Sequence, residues 1–185
     1  MHIPSTSALR RRSFVAAGLG ALASTAVQAQ AWPNRPIRLL VGYSAGGGVD
    51  AMARLLAPRL STQLGQQVVV ENRTGAAGLI AGDAAAKAAP DGYTLMLGDS
   101  SLLIAQHLQP RMSFDPVKGF APVAGVFQLP LVIVTGNDFA ARTPREFIAQ
   151  LKANPAKYSY ATSGVGTVHH LGFEMLKART QSFVV

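Results

Sequence analysis

IRLLVGYSAGGGVDAMARLLAPRLSTQL, residues 37–64, reads as a buried strand, a Gly-rich turn and a helix. Its first five residues form an apolar run of the kind found in a strand covered on both faces. After the turn, Val49, Met52, Ala53, Leu56, Leu60 and Leu64 recur at helical spacing. Pro58 falls inside that pattern, so the spacing predicts a kink there or a fresh helix start. Such a turn aims backbone N–H groups and a helix N-terminus at whatever lies above it, which suits an anion.

The same order recurs along the chain. VVV at 68–70 is a second strand, ending in Glu71, Asn72 and Arg73. A second Gly-rich turn at 75–78 leads into an Ala-rich helix over about 79–89, with Asp83 and Lys87 one turn apart. Pro90-Asp91-Gly92 is a turn signal, and 94–98 is a third strand. This βαβαβ order predicts an α/β fold with a parallel sheet and right-handed crossovers. Residues 110–122 carry turn formers, and 123–134 holds two short apolar runs split at Pro130. Thr143-Pro144-Arg145-Glu146 is a capping box with proline at the first helical position, opening a helix to about Asn154. A strand at 158–161, a third Gly-rich turn at 163–167 and a helix to about Arg179 follow. Phe183, Val184 and Val185 look like the beginning of another strand.

Residues 1–31 read as an export signal rather than as part of the fold. Arg10, Arg11 and Arg12 form a basic segment, residues 14–27 an apolar one too short to span a membrane, and Ala29 or Ala31 ends a run of small residues suited to cleavage. The arginines fit a twin-arginine signal or a general secretion signal. Removing the segment takes away three of the 17 basic residues and none of the nine acidic ones, so the formal charge falls from +8 to +5. The remaining basic residues are scattered and form no nucleic-acid stripe. Cysteine is absent, which excludes disulfides and thiolate metal sites. The expected location is periplasmic.

Three chemistries fit the first turn. Gly42-Tyr43-Ser44-Ala45-Gly46 matches G-x-S-x-G, the elbow of a serine esterase with Ser44 as nucleophile and Asp99, His107, His169 or His170 as partners. Only about a dozen residues of the exported chain precede it, however, which leaves no upstream strand for a second oxyanion donor. Gly46-Gly47-Gly48-Val49-Asp50-Ala51 matches G-x-G-x-x-A of a dinucleotide-binding oxidoreductase, with Glu71 placed as the ribose acid. There the first glycine should sit at the strand end, whereas Tyr43, Ser44 and Ala45 intervene, and an exported protein meets little nicotinamide cofactor. The third reading is a carboxylate cradle. Three strand–turn–helix units set turns at 44–50, 98–101 and 162–167 at strand carboxyl ends, where open α/β sheets bind ligands.

Six segments together resemble the solute receptors of tripartite tricarboxylate transporters, the Bug-type receptors. They are WPNRPI at 32–37, YSAGGGVD at 43–50, VVVENR at 68–73, AAPDGYTL at 88–95, FDPVKGFAPV at 114–123, and TSGVGT at 162–167 with His170. The resemblance implies a two-lobed periplasmic-binding-protein fold of the Venus-flytrap type. Lobe 1 would span 32–128 and lobe 2 129–185, with a hinge near 126–135. A small organic mono-, di- or tricarboxylate would be held between the lobes, partly through bridging waters, and passed to the permease subunits of the transporter. It implies Tyr43, Ser44, Gly46, Gly47, Gly48 and Asp50 in the first ligand loop, Ser100 and Ser101 at the third strand's end, and Thr162, Ser163, Gly164, Gly166, Thr167 and His170 in the opposing loop. It implies a monomer, with no catalytic residue, cofactor, metal or nucleic acid. Gly42, Ala45 and Thr74 stand where the family often has proline. Family members continue for about as long again, so the expectation is a chain that ends within lobe 2 and leaves apolar faces exposed.

Simpler roles stand beside these. Asp50 fits a first-turn acid favoured by the helix dipole. His169 and His170 diverge by ~100° on a helix and cannot share one metal. His107 reads as structural, and the 75–78 turn reads as a tight helix entry. Asn72 and Arg73 border the cleft, or Arg73 pairs with a surface acid.

Overall fold

The computed structural model describes residues 31–109 and 111–185. The expected signal at 1–31 thus lies, apart from Ala31, outside the described residues. Residues Arg35–Val185 form one compact unit.

The centre of that unit is β1 (Ile37–Val41), where Ile37, Leu40 and Val41 are fully buried and Leu39 nearly so. Both its edges are paired, because β1 lies between two parallel neighbours, β2 (Val68–Asn72) and β3 (Thr94–Leu97), in the order β2-β1-β3. The alternation of a strand sends Ile37, Leu39 and Val41 to one face. There they meet Ala53 and Ala57 of helix α1 (Gly48–Leu64), together with Val68 and Leu97. Leu40 faces the other way and is equally buried. Burying each such side chain is worth about 1.5–3 kcal/mol. The register sets Val41 beside both Asn72 and Leu97, so the three strands end level. The turns after them therefore emerge at one edge of the sheet.

Helix α1 is continuous through Pro58; the fresh start offered by its sequence does not occur. Ser61 and Thr62 donate their hydroxyls to the carbonyls of Ala57 and Pro58, and Ser61 Oγ also accepts from Val68 N at 2.8 Å, fastening the helix to the start of β2. Gly65, in the left-handed region, ends the helix. The second turn is a short 3-10 helix (Ala76–Gly78) entering α2 (Leu79–Ala86), three residues shorter than expected. Asp83 and Lys87 pair at 2.8 Å. Helix α3 (Ser101–Leu108) follows β3.

The second part is built differently. Helix α4 (Pro144–Ala153) opens on the full capping box of Thr143 and Glu146. Helix α5 (Val168–Thr180) follows the third Gly-rich turn. The expected strand at 158–161 is only a short extended segment. It pairs with the expected final strand through Val185 N to Tyr158 O (3.1 Å) and Tyr160 N to Val185 O (2.9 Å), a parallel ladder of one rung. Leu151 and Val184 are buried beside it. The apolar runs at 123–134 form no regular element, and Val123, Val132 and Val134 are each more than three-quarters exposed.

Candidate functional site

The level strand ends place residues 42–47, 73–75 and 98–100 along one edge. At Gly42 the backbone passes so close to the second turn that an added Cβ would lie 2.7 Å from Gly78 Cα. The residues that follow, 44–48, are exposed, and Gly46 sits at φ +84°, a conformation glycine adopts without cost. Gly47 is the N-cap of α1 and supplies no side-chain cap. Gly47 N instead closes the turn onto Ser44 O at 3.2 Å.

Asp50 holds this loop from beneath. Its side chain is buried, with Oδ2 accepting from Gly46 N (2.8 Å) and Arg54 Nε (2.9 Å) and Oδ1 from Asn72 Nδ2 (2.8 Å). Asn72 also donates to Tyr43 O, and Arg54 to Asn72 Oδ1, both at 3.0 Å. The Arg54 guanidinium, then the Gly46 amide and Asn72, hold the Asp50 carboxyl well below the usual carboxylate range. Asp50 therefore organises the loop through Gly46, Arg54 and Asn72. Arg54, which the sequence reading passed over, lies one helical turn after Asp50, the i, i+4 spacing of a helix ion pair.

A second chain of contacts runs across the strand ends. Tyr43 donates its hydroxyl to Asp99 (2.8 and 3.0 Å), and Ser101 N donates to Asp99 Oδ1 at 2.9 Å. Burial, with the Asp99 charge adding to it, pushes the Tyr43 phenol up to about 12. Ser101 is fully buried, and its Oγ accepts from Val168 N of α5 at 3.2 Å. The N-termini of α3 and α5 thus meet, and Tyr43 ties the first loop to them through Asp99.

In the third turn, Thr167 is the N-cap of α5. It is fully buried, accepts from His170 N at 3.3 Å and donates to Gly164 O at 2.7 Å. Thr162 braces the turn by accepting from Gly164 N at 3.3 Å. Gly166 is buried at φ +90°, where an added Cβ would stand 3.4 Å from Leu108 Cδ1. Ser163 is exposed and pairs with His169 Nδ1 at 2.8 Å, while the His170 ring stacks near Tyr160. Ser100 is exposed at the start of α3. The structure thus joins Tyr43 to Ser101, and Ser101 to the turn holding Thr167. Ser44, Ser100 and Ser163 point to open surface.

The groups that the two enzyme motifs would use are engaged elsewhere. Among the described residues no histidine is bonded to Ser44; Asp99 bonds Tyr43, and His169 bonds Ser163. Glu71, the would-be ribose acid, is occupied by Arg38 (2.8 Å) and Arg73 (2.6 Å), which hold its carboxyl below its ordinary range. Among the described residues no group of three His, Asp or Glu could hold a metal, and no helix is long and apolar enough to cross a membrane.

Residues 52–183 match the model of the tripartite tricarboxylate transporter family receptor. Protein BugT of Bordetella pertussis is 42% identical over 156 residues, covering 83% of this chain and 48% of BugT. The structure of R. palustris Rpa4515 with adipate superposes with a TM-score of 0.80 at 32% identity, covering 83% of this chain and 52% of that one. MatC from Rhodopseudomonas palustris with bound malate gives 0.74 at 29%, covering 83% and 53%. The fold is that of periplasmic binding proteins, α/β with a parallel sheet. The chain spans about half the length of the curated relatives it matches.

Proposed function

Because the chain belongs to the tripartite tricarboxylate transporter receptor family, we propose that it serves as an extracytoplasmic receptor for a small organic mono-, di- or tricarboxylate, which it delivers to a membrane permease of the tripartite type. Binding, without catalysis, is the whole of its chemistry. The observation that carries this reading is the first loop: α1 begins with exposed residues at 44–48 and no side-chain cap, beside the meeting point of the α3 and α5 N-termini. A helix N-terminus left open in this way attracts an anion through its free N–H groups and its dipole. Each charge-assisted hydrogen bond is worth about 1.5–3 kcal/mol. Four or five, less the cost of ordering, support micromolar affinity, near −8 kcal/mol. Adipate and malate in the related structures support the ligand class.

In this reading residues 32–128 belong to one lobe and 129–185 to the other. The segment at 126–135 acts as the hinge, and closure over the ligand brings the 44–48 and 162–167 turns to opposite sides of it. A calorimetric screen of the exported protein against a panel of organic acids tests the proposal. Saturable binding of at least one carboxylate is expected, and failure of every acid in the panel overturns it.

A further inference from the structure

Asp99 stands in the site as a negative charge with no cation beside it. It follows Gly98 at the carboxyl end of β3, is half-buried, and takes part in none of the ion pairs among the described residues. Two donors reach it, the Tyr43 hydroxyl and the Ser101 amide. An ionised carboxylate offers about four acceptor positions, so the two donors leave acceptor capacity unused. Its location is central: Tyr43 immediately precedes the exposed first loop, and Ser101 touches the N-terminus of α5.

From this geometry we infer that Asp99 is a specificity-determining residue, selecting carboxylic acids that carry a hydrogen-bond donor, a hydroxyl or an ammonium group, on their carbon chain. The inference rests on the receptor reading above. The helix N-termini attract the ligand's carboxylate, while the Asp99 charge opposes a second bare anion in its vicinity and accepts from a donor placed there. An unsubstituted diacid meets the repulsion and leaves the free acceptor position empty. A hydroxy or amino acid of the same length fills it. Discrimination of this kind combines one repulsive and one attractive element at a single group. A site that hydrogen-bonds a substrate hydroxyl or ammonium rejects an analogue lacking it more strongly than an apolar pocket rejects a missing methylene.

The test is a matched series. Calorimetry on the mature protein, expressed from its complete reading frame, compares succinate with malate and aspartate, and adipate with its 2-hydroxy and 2-amino counterparts. In whichever length binds, the donor-bearing acid is expected to bind at least about tenfold more tightly than the plain one. In Asp99→Asn, which keeps an acceptor oxygen for the Ser101 amide, that preference should shrink about tenfold, with the plain diacid gaining affinity. Plain and donor-bearing acids binding alike in the unaltered protein overturns the inference and leaves the receptor reading standing. An equal loss for every acid in Asp99→Asn also overturns it, because that marks Asp99 as a brace for α3 alone. Should the variant fail to fold by circular dichroism, the series on the unaltered protein still decides. If no acid binds at all, the receptor reading and this inference fall together.

Discussion

The first and third Gly-rich turns both follow an extended segment and both open a helix, yet they are held by opposite means. The turn at 44–48 is braced from below by a buried carboxylate, Asp50, which spends both oxygens on Gly46, Arg54 and Asn72. Its helix start carries no side-chain cap. The turn at 162–167 braces itself, with Thr167 capping α5, and the first amide of that helix is already bound to Ser101. One turn is braced and open; the other is braced and engaged. The lesson is that glycine content alone does not mark an anion site. What matters is whether the loop is fixed without using up the N–H groups at its helix start.

The largest effect should come from the brace of the first turn. Asp50→Ala leaves the Gly46 amide, Arg54 and Asn72 without their common acceptor, and thermal unfolding should fall by roughly 5–10 °C. Asp50→Asn adds a pH signature. Arg54, then Gly46 and Asn72, depress the Asp50 pKa in the folded state. The stabilisation is therefore complete above the unfolded value, about 3.9, and is lost as pH falls through the lower folded value. The stability gap between the unaltered protein and Asp50→Asn should be constant near neutrality and close below about pH 4. Glu71, shifted in the same direction by Arg38 and Arg73, titrates in both proteins and cancels in the difference. A gap independent of pH down to 2 would show that the Asp50 charge is not what holds the loop.

The contact joining the turns comes next. Ser101→Ala strips the acceptor from Val168 N. Losing this part-buried bond should cost about 1 kcal/mol, measurable by denaturant unfolding. No change in midpoint would show the Ser101 contact to be dispensable. Thr167→Ala removes the cap of α5 together with the hydroxyl's bond to Gly164 O, and should cost about 1–2 kcal/mol by the same measurement.

Much of this was legible in the chain. The apolar run of β1 announced a strand buried on both faces, and the spacing of Val49, Met52, Ala53 and Leu60 announced the helix that covers it. The capping box at Thr143 and Glu146 formed as read, because its partners are three residues apart and need nothing from the rest of the fold. The use made of the site residues was less legible. Asp50 at the first turn of a helix suits a ligand loop and a buried brace equally well, and the choice depends on Asn72 arriving from the next strand. Asp99 read as a possible triad acid, since nothing local reveals that Tyr43, 56 residues earlier, lies against it. Both contacts follow from the register that levels β1 with β2 and β3, a property of strand pairing rather than of any short motif.

The smallest change in stability carries the sharpest test of the comparison. Gly47, the N-cap of α1, has φ −72° and ψ 166°, extended backbone open to any residue, and an added Cβ would stand 3.3 Å from Ser44 O. Serine there would supply the cap that the first turn lacks, turning its hydroxyl onto the amide of Val49 or Asp50. Replacing glycine by serine at an N-cap changes stability by only a few tenths of a kcal/mol. If the first turn is the open one, the new hydroxyl takes an N–H group that the carboxylate needs, and affinity should drop about tenfold, the equivalent of one hydrogen bond near 1.4 kcal/mol. Equal affinity in Gly47→Ser and the unaltered protein would place the anion elsewhere and erase the functional distinction between the two turns. A loss of affinity at nearly unchanged stability would fix it at the start of α1, because the substitution adds a competitor without disturbing the Asp50 brace beneath.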